Sequence, residues 1–536
     1  MANGTHGADF DAIVVGAGMA GMYFHYRLRE MGLSVKGFEA GTDVGGTWYW
    51  NRYPGARFDS ESYTYGFSFS QEVLDEWEWS EHFAAQPETL RYLSFVADKL
   101  DLRRDVQFET RIKSARYDTV DRVWAVRTEA GETCSARYLL FATGVLSAPF
   151  VPEIEGYESY QGESWHTSDW PREPFSLRGK RVGVIGTGAT AVQMITEIAK
   201  EVGELTVFQR TPNYCKPLHN RPITGQEQVE IKANYPAYFK RCNETMGAFL
   251  HDFDTRSAFD VDDEEREKIY EDLWAGPGFS FYLAGFYDVL TDEKANETAA
   301  EFARGKIRAR VDDPEVAERL APKDHAFGSK RQPMESGYYE VYNQANVHLV
   351  DLKRTPLRCF TASGLETTES TFDFDVVIFA TGFDAVTGAL NRIDIQGEQG
   401  VKLKDKWADG PRTYLGVCAS GFPNMFFAGG PHSTTSFCNV PRCIEHNVEW
   451  ITNCISHLQA HGHTRIEANP AAEDEWTAHV LETAGQTLFV KNDSWLMGSN
   501  IPGKKRVFLN YVGGVPTFLA KSGAIAANGY EGFSID

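Results

Sequence analysis

The stretch FDAIVVGAGMAGMYFHYRLREMGLSVKGFEA, residues 10–40, predicts a strand, a helix and a second strand in immediate succession. Residues 12–15 form an apolar run, and Gly16, Gly18 and Gly21 follow them in GxGxxG spacing. The first glycine permits a tight turn, the second lets a pyrophosphate approach the helix N-terminus, and the third allows the helix to pack closely on the strand. Strand, glycines and helix together predict a dinucleotide-binding unit.

The second strand of this unit ends at an acidic residue, Glu39. A carboxylate about 20 residues after the glycine turn accepts hydrogen bonds from the ribose diol of a bound nucleotide. A glycine-rich turn without a ligand does not need this acid, so Glu39 strengthens the prediction of a nucleotide site.

The segment RVGVIGTGATAVQMITEIAKEVGELTVFQRTP, residues 181–212, repeats the pattern with one change in the turn. Gly186, Thr187 and Gly188 form the turn, and Ala191 stands in the place of the third glycine. The chain therefore contains two dinucleotide-binding units. We predict an α/β fold with two Rossmann-like dinucleotide-binding domains.

The second unit lacks the acid of the first. Gln209 stands at the corresponding position, and Arg210 and Thr211 follow it. A guanidinium offers paired donors to a 2′-phosphate, which a carboxylate would repel, so this site is predicted to bind NADPH rather than NADH. Two different dinucleotide sites in one chain imply a flavin and a nicotinamide that exchange a hydride, so the first site is predicted to bind FAD.

The composition excludes several classes of protein. The 536 residues are 42% hydrophobic and 24% charged, which is ordinary for a soluble globular protein, and no apolar run reaches the roughly 18 to 20 residues that span a membrane. A net charge of −22 argues against a nucleic-acid partner. The first residues lack the pattern of a secretory signal, so we expect a cytoplasmic protein, monomeric or weakly oligomeric.

The eight cysteines form no CxxC pair and no cluster with zinc spacing, so isolated thiols and no metal site are expected. Among flavoproteins with two dinucleotide sites, the disulfide reductases require a redox-active cysteine pair, which the sequence does not indicate. Two alternatives remain: N- or S-oxidising monooxygenases and Baeyer–Villiger monooxygenases. A nucleotide-sensing redox module without enzymatic activity is the alternative outside catalysis.

The stretch YQGESWHTSDWP, residues 160–171, resembles the fingerprint of the Baeyer–Villiger monooxygenases. That fingerprint is an aromatic residue, usually Phe, followed by x-Gly-x-x-x-His-x-x-x-Trp-Pro or Asp. Tyr160 stands in the place of Phe, and the other matching residues are Gly162, His166, Trp170 and Pro171. Further blocks are similar to the phenylacetone and acetone monooxygenase branch: residues 45–67, 327–340, 407–416 and 493–504.

The resemblance implies a type I enzyme that uses FAD, NADPH and O2 to oxidise a ketone to an ester or lactone. In this family a C4a-peroxyflavin attacks the ketone carbonyl, and the tetrahedral adduct then rearranges; sulfoxidation is expected as a side activity. An N- or S-oxidising enzyme, which uses the neutral hydroperoxyflavin, is the alternative. Linear, aryl, cyclic and steroidal ketones all stay open as substrates, as does the selectivity.

The resemblance also assigns roles to individual residues. Arg331 and Asp59 match the catalytic arginine and its carboxylate partner; a permanently charged guanidinium can stabilise a peroxide anion and the later adduct. The fingerprint is expected to be a hinge linker that couples NADP binding to domain closure. The implied FAD contacts are Thr47, Trp48, Trp50, Asp59, Tyr65, Ile112 and Val440 in addition to the residues of the first turn; the implied NADP contacts are Lys330, Arg331 and Trp495 in addition to those of the second.

The region that shapes the substrate pocket is expected in residues 429–440. Its predicted lining residues are His432, Thr434, Thr435, Ser436 and Phe437. The predicted FAD-binding domain is discontinuous, residues 1–146 and 385–536, and the NADPH-binding domain comprises residues 147–219 and 321–384. Between its halves, residues 220–320 are charged and have helical periodicity, which resembles the helical insertion of the family.

Overall fold

The computed structural model of the chain describes residues 7–434 and 438–536. Its strands are β1 (Phe10–Val15), β2 (Val35–Phe38), β3 (Val106–Gln107), β4 (Ile112–Asp118), β5 (Val123–Thr128), β6 (Thr133–Phe141), β7 (Glu163–His166), β8 (Arg181–Ile185), β9 (Glu204–Gln209), β10 (Lys216–Pro217), β11 (Met334–Glu335), β12 (Val347–Asp351), β13 (Leu357–Phe360), β14 (Gly364–Thr367), β15 (Thr371–Asp373), β16 (Val376–Phe379), β17 (Asp394–Gln396), β18 (Met425–Phe427), β19 (Ile466–Ala468) and β20 (Phe533–Ile535).

The α-helices are α1 (Met19–Glu30), α2 (Thr47–Trp50), α3 (Ser62–Tyr65), α4 (Gln71–Glu76), α5 (Gln86–Lys99), α6 (Ala189–Ile198), α7 (Gly225–Glu244), α8 (Asp263–Ala275), α9 (Ser280–Leu283), α10 (Glu293–Arg308), α11 (Pro314–Leu320), α12 (Gly388–Asn391), α13 (Leu403–Lys406), α14 (Val440–His461), α15 (Pro470–Gly485) and α16 (Val515–Ala527). None of the helices in the described ranges is long and apolar enough to cross a membrane.

The first sheet has the strand order β17-β4-β5-β6-β1-β2-β3, and β18 also pairs with β6. Strand β1 lies between β2 and β6 and is parallel to both, whereas β4, β5 and β6 pair in antiparallel fashion. Helix α1 follows β1 and packs against α14, where the Tyr23 hydroxyl donates to the Glu449 carboxylate at 2.9 Å. The glycine turn between β1 and α1 therefore lies at the carboxyl edge of parallel strands, where Rossmann-like sheets bind nucleotides.

The second sheet is entirely parallel, with the order β12-β9-β8-β16-β7. All four residues of β16 are buried, as is typical of a parallel strand covered on both faces. The chain passes from the first sheet to the second between β6 and β7, and it returns between β16 and β17. The predicted fold class is confirmed: the protein is α/β, with two Rossmann-like units.

Two strands, β6 and β16, are each followed by an Ala-Thr-Gly segment, residues 142–144 and 380–382. Strand β6 ends at Phe141 and β16 at Phe379, so each Ala-Thr-Gly segment lies in the turn that follows. Gly144 and Gly382 have φ values of +72° and +79°, a backbone conformation that favours glycine and stops a strand.

Helices α8 to α10, within the predicted helical insertion, pack around an aromatic core. Phe281 contacts Trp274, Phe302 and Phe327 with ring centroids 5.1 to 5.4 Å apart. Helix α8 carries three acidic residues in its first turn, where their negative charges stabilise the helix by interacting with the positive end of its dipole. It buries Tyr270 and Trp274 on its inner side, and most of its acidic side chains remain exposed.

The expectation of isolated thiols was wrong for two cysteines. A disulfide joins Cys438 to Cys443, which are 5 residues apart at the start of α14, with Cα atoms at 6.7 Å. Sequence spacing alone did not indicate the pair, because the turn that brings the two residues together is set by the beginning of the helix. Cys134, Cys215, Cys242, Cys359, Cys418 and Cys454 are free thiols.

Candidate active site

The first glycine turn leaves no room for side chains. Gly16 has a φ of +106°, and a Cβ there would lie 2.5 Å from the Ala142 carbonyl oxygen, at the end of β6. A Cβ on Gly21 would lie 1.9 Å from the Gly16 oxygen, so this position needs glycine for helix α1 to approach the turn. Helix α1 begins at Met19 immediately behind Gly18, with no acidic residue in its first turn. This cradle fits a pyrophosphate and therefore the predicted FAD.

Glu39 is buried immediately after β2, beside the glycine turn. Its carboxylate accepts hydrogen bonds from the backbone amides of Ala17, at 2.8 Å, and Gly41, at 2.7 Å. The acid is thus held in a fixed orientation at the turn, and each oxygen retains a second lone pair for a ribose hydroxyl.

The second turn repeats this geometry. Gly186 has a φ of +113°, and a Cβ there would lie 2.4 Å from the Ala380 carbonyl oxygen at the end of β16. Gly188 precedes helix α6, and Ala191 is fully buried in that helix. The Thr187 hydroxyl donates to the Thr211 carbonyl at 2.8 Å, which joins the turn to the segment after β9. The second cradle fits the pyrophosphate of a nicotinamide nucleotide.

Basic side chains gather at the end of β9. Gln209 is buried and its amide donates to the Arg319 carbonyl at 2.8 Å, so it is a structural residue, whereas Arg210 is exposed and Thr211 half-buried. Burial lowers the pKa of Lys330, and the positive charge of Arg210 adds to that effect. The charge of Arg210 therefore reaches Lys330 electrostatically.

Trp495 begins a short 3-10 helix, Trp495–Met497, and is half-buried. It packs against the buried cluster of Ala385, Val386 and Leu509. Asp493, two residues earlier, lies near enough to Lys330 to oppose the lowering of its pKa. The predicted NADP contacts Lys330, Arg210 and Trp495 come from three separated segments of the chain, and their common site stays a prediction.

The fingerprint segment is an edge strand of the second sheet followed by a turn. The Tyr160 hydroxyl donates to the Phe374 carbonyl at 3.0 Å, and a Cβ on Gly162 would lie 2.2 Å from that hydroxyl. The ring of Trp170 meets that of Trp165 edge-on at 5.5 Å. Pro171 is the next residue in the chain after Trp170.

His166 is buried at the end of β7 and joins the two crossings of the chain between the sheets. The backbone amide of Ser168 donates to Nδ1 at 3.1 Å, so Nε2 carries the proton and donates to the Gly382 carbonyl at 3.0 Å. Burial lowers the pKa of His166 to about 4, so the ring is neutral at physiological pH. His166 therefore links the segment that enters the second sheet to the one that leaves it.

Aromatic residues after β2 form a packed group. The Trp48 indole nitrogen donates to the Tyr65 hydroxyl at 3.1 Å, and the Tyr65 ring stacks on Phe58 at 4.1 Å. Thr47, at the start of α2, is exposed, and Trp50 is half-buried beside Arg172. The charges of Arg331 and Asp59 both affect the pKa of Tyr65, so this group borders the predicted catalytic pair.

The two remaining predicted FAD contacts begin a strand and a helix that are bonded to the residues described above: Thr110 donates to the Glu39 carbonyl at 2.8 Å, and Asn439 to the Thr64 hydroxyl at 2.9 Å. Ile112 begins β4 and is buried in the core of the first sheet with Phe38 and Val126. Val440 is the first residue of α14 and is half-buried there.

Asp59 and Arg331 meet at the boundary between the first sheet and the helical insertion. The Arg331 Nη2 and Asp59 Oδ2 atoms are 3.7 Å apart, and the Arg331 guanidinium lies 4.8 Å above the centre of the Phe279 ring. Burial raises the pKa of Asp59 to about 6, although Arg331 and Arg57 favour the charged form. Asp59 Oδ1 is buried without a hydrogen-bond partner in the described ranges, which fits a donor supplied by a bound cofactor.

A cavity that is partly open to solvent is lined in part by Arg331. Arg331 is the charged residue of its wall, and the other side chains are mostly aliphatic or aromatic. Besides Arg331, the lining residues are Met246, Gly247, Phe249, Phe253, Phe279, Tyr282, Leu283, Leu290, Thr434, Cys438, Phe489, Leu496, Tyr511, Val512 and Gly514.

The predicted pocket residues fall into three groups. Thr434 lines the cavity. His432 is fully buried, has a φ of +65°, and its backbone amide donates to the Leu509 carbonyl at 2.9 Å, so its part in the substrate pocket stays a prediction. Thr435, Ser436 and Phe437 lie outside the described residues.

Most of the cavity wall was missed by sequence reasoning. It comes from the helical insertion, including Phe249, Phe279 and Tyr282, and from the C-terminal segment, including Tyr511. Aromatic residues in a helical region have the same pattern whether they fill a core or line a cavity, so their spacing did not distinguish the two. The one local signal was GPGFSFYL, residues 276–283, in which two glycines interrupt an otherwise helical stretch.

Comparison with known proteins gives close relatives along the whole chain. A family model described as pyridine nucleotide-disulphide oxidoreductase matches residues 13–251, which include both glycine turns. The 2-oxo-Delta(3)-4,5,5-trimethylcyclopentenylacetyl-CoA monooxygenase of Pseudomonas putida is 45% identical over 100% of both chains. A Baeyer-Villiger monooxygenase of Pseudooceanicola batsensis is 43% identical over 98% of this chain and 96% of its own.

A solved structure agrees with the fold at similar identity. The crystal structure of OTEMO in complex with FAD and NADP has a TM-score of 0.96 and 45% sequence identity, and the match covers 99% of this chain and 100% of the other.

Proposed function

The chain belongs to the Baeyer–Villiger monooxygenases, enzymes that use FAD and NADP to convert ketones into esters or lactones, and we propose that Arg331 and Asp59 are its catalytic pair. NADPH reduces the bound FAD, which then supplies the activated oxygen that is transferred to the ketone. The observation that carries the proposal is the position of Arg331, which contacts Asp59 and forms part of the cavity wall.

Arg331 provides the positive charge that the reaction requires. Oxygen transfer to a ketone creates negative charge first on the attacking oxygen and then on the former carbonyl oxygen. A guanidinium keeps its charge at every working pH, so it stabilises both anions without exchanging a proton. Contact with the Phe279 ring holds it in place by a cation–π interaction.

Asp59 orients the Arg331 guanidinium and reduces its net charge. The separation of 3.7 Å is that of an ion pair, and both groups are only partly accessible to solvent. The raised pKa of Asp59, about 6, leaves the carboxylate charged at neutral pH and neutral in mild acid. We therefore expect coupled oxygenation to fall as the pH drops through about 6.

The apolar cavity wall favours an uncharged ketone, which displaces water when it binds. Phe249, Tyr282 and Leu290 offer apolar contact surface, and no acidic side chain contributes to the described wall. Exclusion of water strengthens the electrostatic effect of Arg331 and suppresses the loss of the activated oxygen as hydrogen peroxide. We propose O2 as the co-substrate and an uncharged, largely apolar ketone as the substrate.

The nicotinamide nucleotide is proposed to be NADPH, selected by Arg210, Thr211 and Lys330. Burial and the charge of Arg210 both lower the pKa of Lys330, and an anionic 2′-phosphate would favour its charged form. Lys330 immediately precedes Arg331, so nucleotide binding and the position of the catalytic guanidinium involve the same segment. Trp495 is proposed to cover the nucleotide from the C-terminal side.

The fingerprint is proposed to act as a hinge between two domains. Its His166 joins the incoming segment to Gly382 of the outgoing one, so both crossings move together. The domain limits that accompany this proposal are residues 1–146 and 385–536 for FAD, 147–219 and 321–384 for NADPH, and 220–320 for the insertion. The hydrogen bond between His166 and Gly382 keeps the two connecting segments together while one nucleotide domain rotates relative to the other.

The test compares product formation with NADPH consumption for the wild type and for Arg331→Ala, across linear, cyclic and aryl ketones. The wild type is expected to form one ester per NADPH with at least one ketone. Arg331→Ala is expected to retain FAD and NADPH oxidation but to release hydrogen peroxide. Ester formation by Arg331→Ala at the wild-type rate would contradict the proposed role, and oxidation of amines or sulfides in place of every ketone would contradict the proposed substrate class.

A further inference from the structure

Lys216 is a fully buried lysine that the proposed mechanism does not use. Its Nζ donates to the Gly276 carbonyl at 2.6 Å and to the Pro217 carbonyl at 3.1 Å. The salt bridges of the described residues include none to Lys216, so carbonyl oxygens rather than a carboxylate hold its ammonium group. Burial of an ammonium is costly, and burial lowers the pKa of Lys216 to about 7.

The backbone of Lys216 is joined to the segment that carries Arg331. Strand β10 pairs in parallel with β11, in the register Lys216 with Met334. The Lys216 backbone amide donates to the Pro333 carbonyl at 3.1 Å, two residues after Arg331. A shift of β10 therefore shifts the backbone next to the catalytic guanidinium.

The side chain of Lys216 is joined to a different segment, the one that carries Phe279. Gly276 lies three residues before Phe279, whose ring supports the Arg331 guanidinium at 4.8 Å. Gly278, between them, donates its amide to the Leu218 carbonyl at 3.0 Å and has a φ of +53°. A Cβ on Gly278 would lie 3.0 Å from the Phe83 ring, so this turn has little freedom to adjust.

We propose that Lys216 is a positioning residue for oxygen transfer, because it fixes the distance between the Phe279 ring and the Arg331 guanidinium. One residue bonds both segments, through its backbone to Pro333 and through its side chain to Gly276. Lysine suits the task since its flexible stem reaches the Gly276 carbonyl and its ammonium carries more than one donor. The inference rests on the proposed role of Arg331, through which Lys216 acts.

The experiment measures ester formed per NADPH oxidised by FAD-loaded Lys216→Met, which keeps the apolar stem and removes the donors. We expect this ratio to fall about tenfold, with hydrogen peroxide making up the difference, because displacement of a catalytic group by a fraction of an ångström is costly. The rate of flavin reduction by NADPH is expected to stay at the wild-type value, since Lys216 touches neither glycine turn.

Lys406→Met is the matched control. Lys406 is also mostly buried and hydrogen-bonded, to Glu473 at 2.7 Å and Ser420 at 2.9 Å, but it lies in α13, outside the cavity wall. It is expected to lower thermal stability and leave the product ratio unchanged. Lys216→Gln, which keeps a shorter donor, is expected to give an intermediate ratio, and it replaces Lys216→Met in the test if the latter does not retain FAD.

A double-mutant cycle with Phe279→Leu tests the route. If Lys216 acts through Phe279, the double variant has the same ratio of ester formed to NADPH oxidised as Phe279→Leu alone. Additive effects, or a wild-type ratio in a Lys216→Met protein of reduced thermal stability, would overturn the inference. Arg331→Ala, measured alongside, separates the two proposals. A wild-type ratio of ester to NADPH in Arg331→Ala would refute the role of Arg331. A reduced ratio in Arg331→Ala together with a wild-type ratio in both Lys216 variants would refute only the role of Lys216.

Discussion

Replacement of Asp59 by Asn is expected to make the protein more stable and less active. Burial raises the pKa of Asp59 from 3.8 to about 6. At pH 8 the carboxylate is charged in both states, and its charge costs more free energy in the folded protein than in the unfolded chain. A shift of about two units corresponds to about 3 kcal/mol, and the uncharged amide of Asn avoids this cost. Asn also lacks the charge that orients Arg331, so coupled oxygenation is expected to fall.

The gain in stability should depend on pH in a defined direction. As the pH falls through about 6, folded Asp59 takes up a proton while the unfolded chain, with a pKa of 3.8, does not. The advantage of Asn therefore declines to about half at pH 5 and disappears below about pH 4. This is the opposite of an acid stabilised by its ion pair, whose contribution would be lost in acid.

The assay is thermal unfolding of the FAD-loaded wild type and Asp59→Asn at pH 8 and pH 5. An unfolding entropy of about 2.1 cal/mol/K per residue converts 3 kcal/mol into a Tm difference of about 3 °C when the chain of 536 residues unfolds as one unit. About half that difference is expected at pH 5. A less stable variant at pH 8, or an equal difference at both values, would show that attraction by Arg331 outweighs burial and would refute the reasoning.

Three further results are expected. Arg331→Ala should lower the rate of ester formation by about 100-fold or more, measured by product analysis, because one stabilising donor is lost from the transition state; Arg331→Lys should recover only part of it. Arg210→Ala and Lys330→Ala should each raise the KM for NADPH about 10-fold or more and leave that for NADH nearly unchanged, since only NADPH carries the 2′-phosphate. His166→Ala should retain FAD but release more hydrogen peroxide per NADPH, and the acid limb of the activity profile, near pH 6, should persist in it because His166, with a pKa of about 4, is already neutral there.

The two nucleotide units were predictable from sequence because their determinants are local. The turn at Gly16 requires a backbone conformation and a close approach that only glycine allows, and these requirements appear within a short stretch of sequence. The difference between Glu39 and Arg210 likewise appears at one fixed position of each unit. Strand ends were less predictable, because β6 stops where a turn begins rather than where apolar residues end.

The catalytic pair and the cavity were not predictable from local pattern. Asp59 and Arg331 lie far apart in sequence, so only resemblance to a family connected them. Cavity-lining residues such as Tyr282 have the composition of an ordinary core, so their sequence pattern does not distinguish the two. Lys216 gave no signal at all, since a lysine next to a proline is usually exposed.

The central claim is that this protein transfers one atom of O2 to a ketone, with NADPH as the reductant and Arg331 in the transfer site. The most direct measurement follows the wild type with heavy-isotope O2, NADPH and a panel of apolar ketones, with mass analysis of the products. The account predicts an ester or lactone that contains one labelled oxygen per NADPH consumed, and none from Arg331→Ala. Labelled hydrogen peroxide as the only product with every ketone, or an ester whose new oxygen is unlabelled, would contradict it.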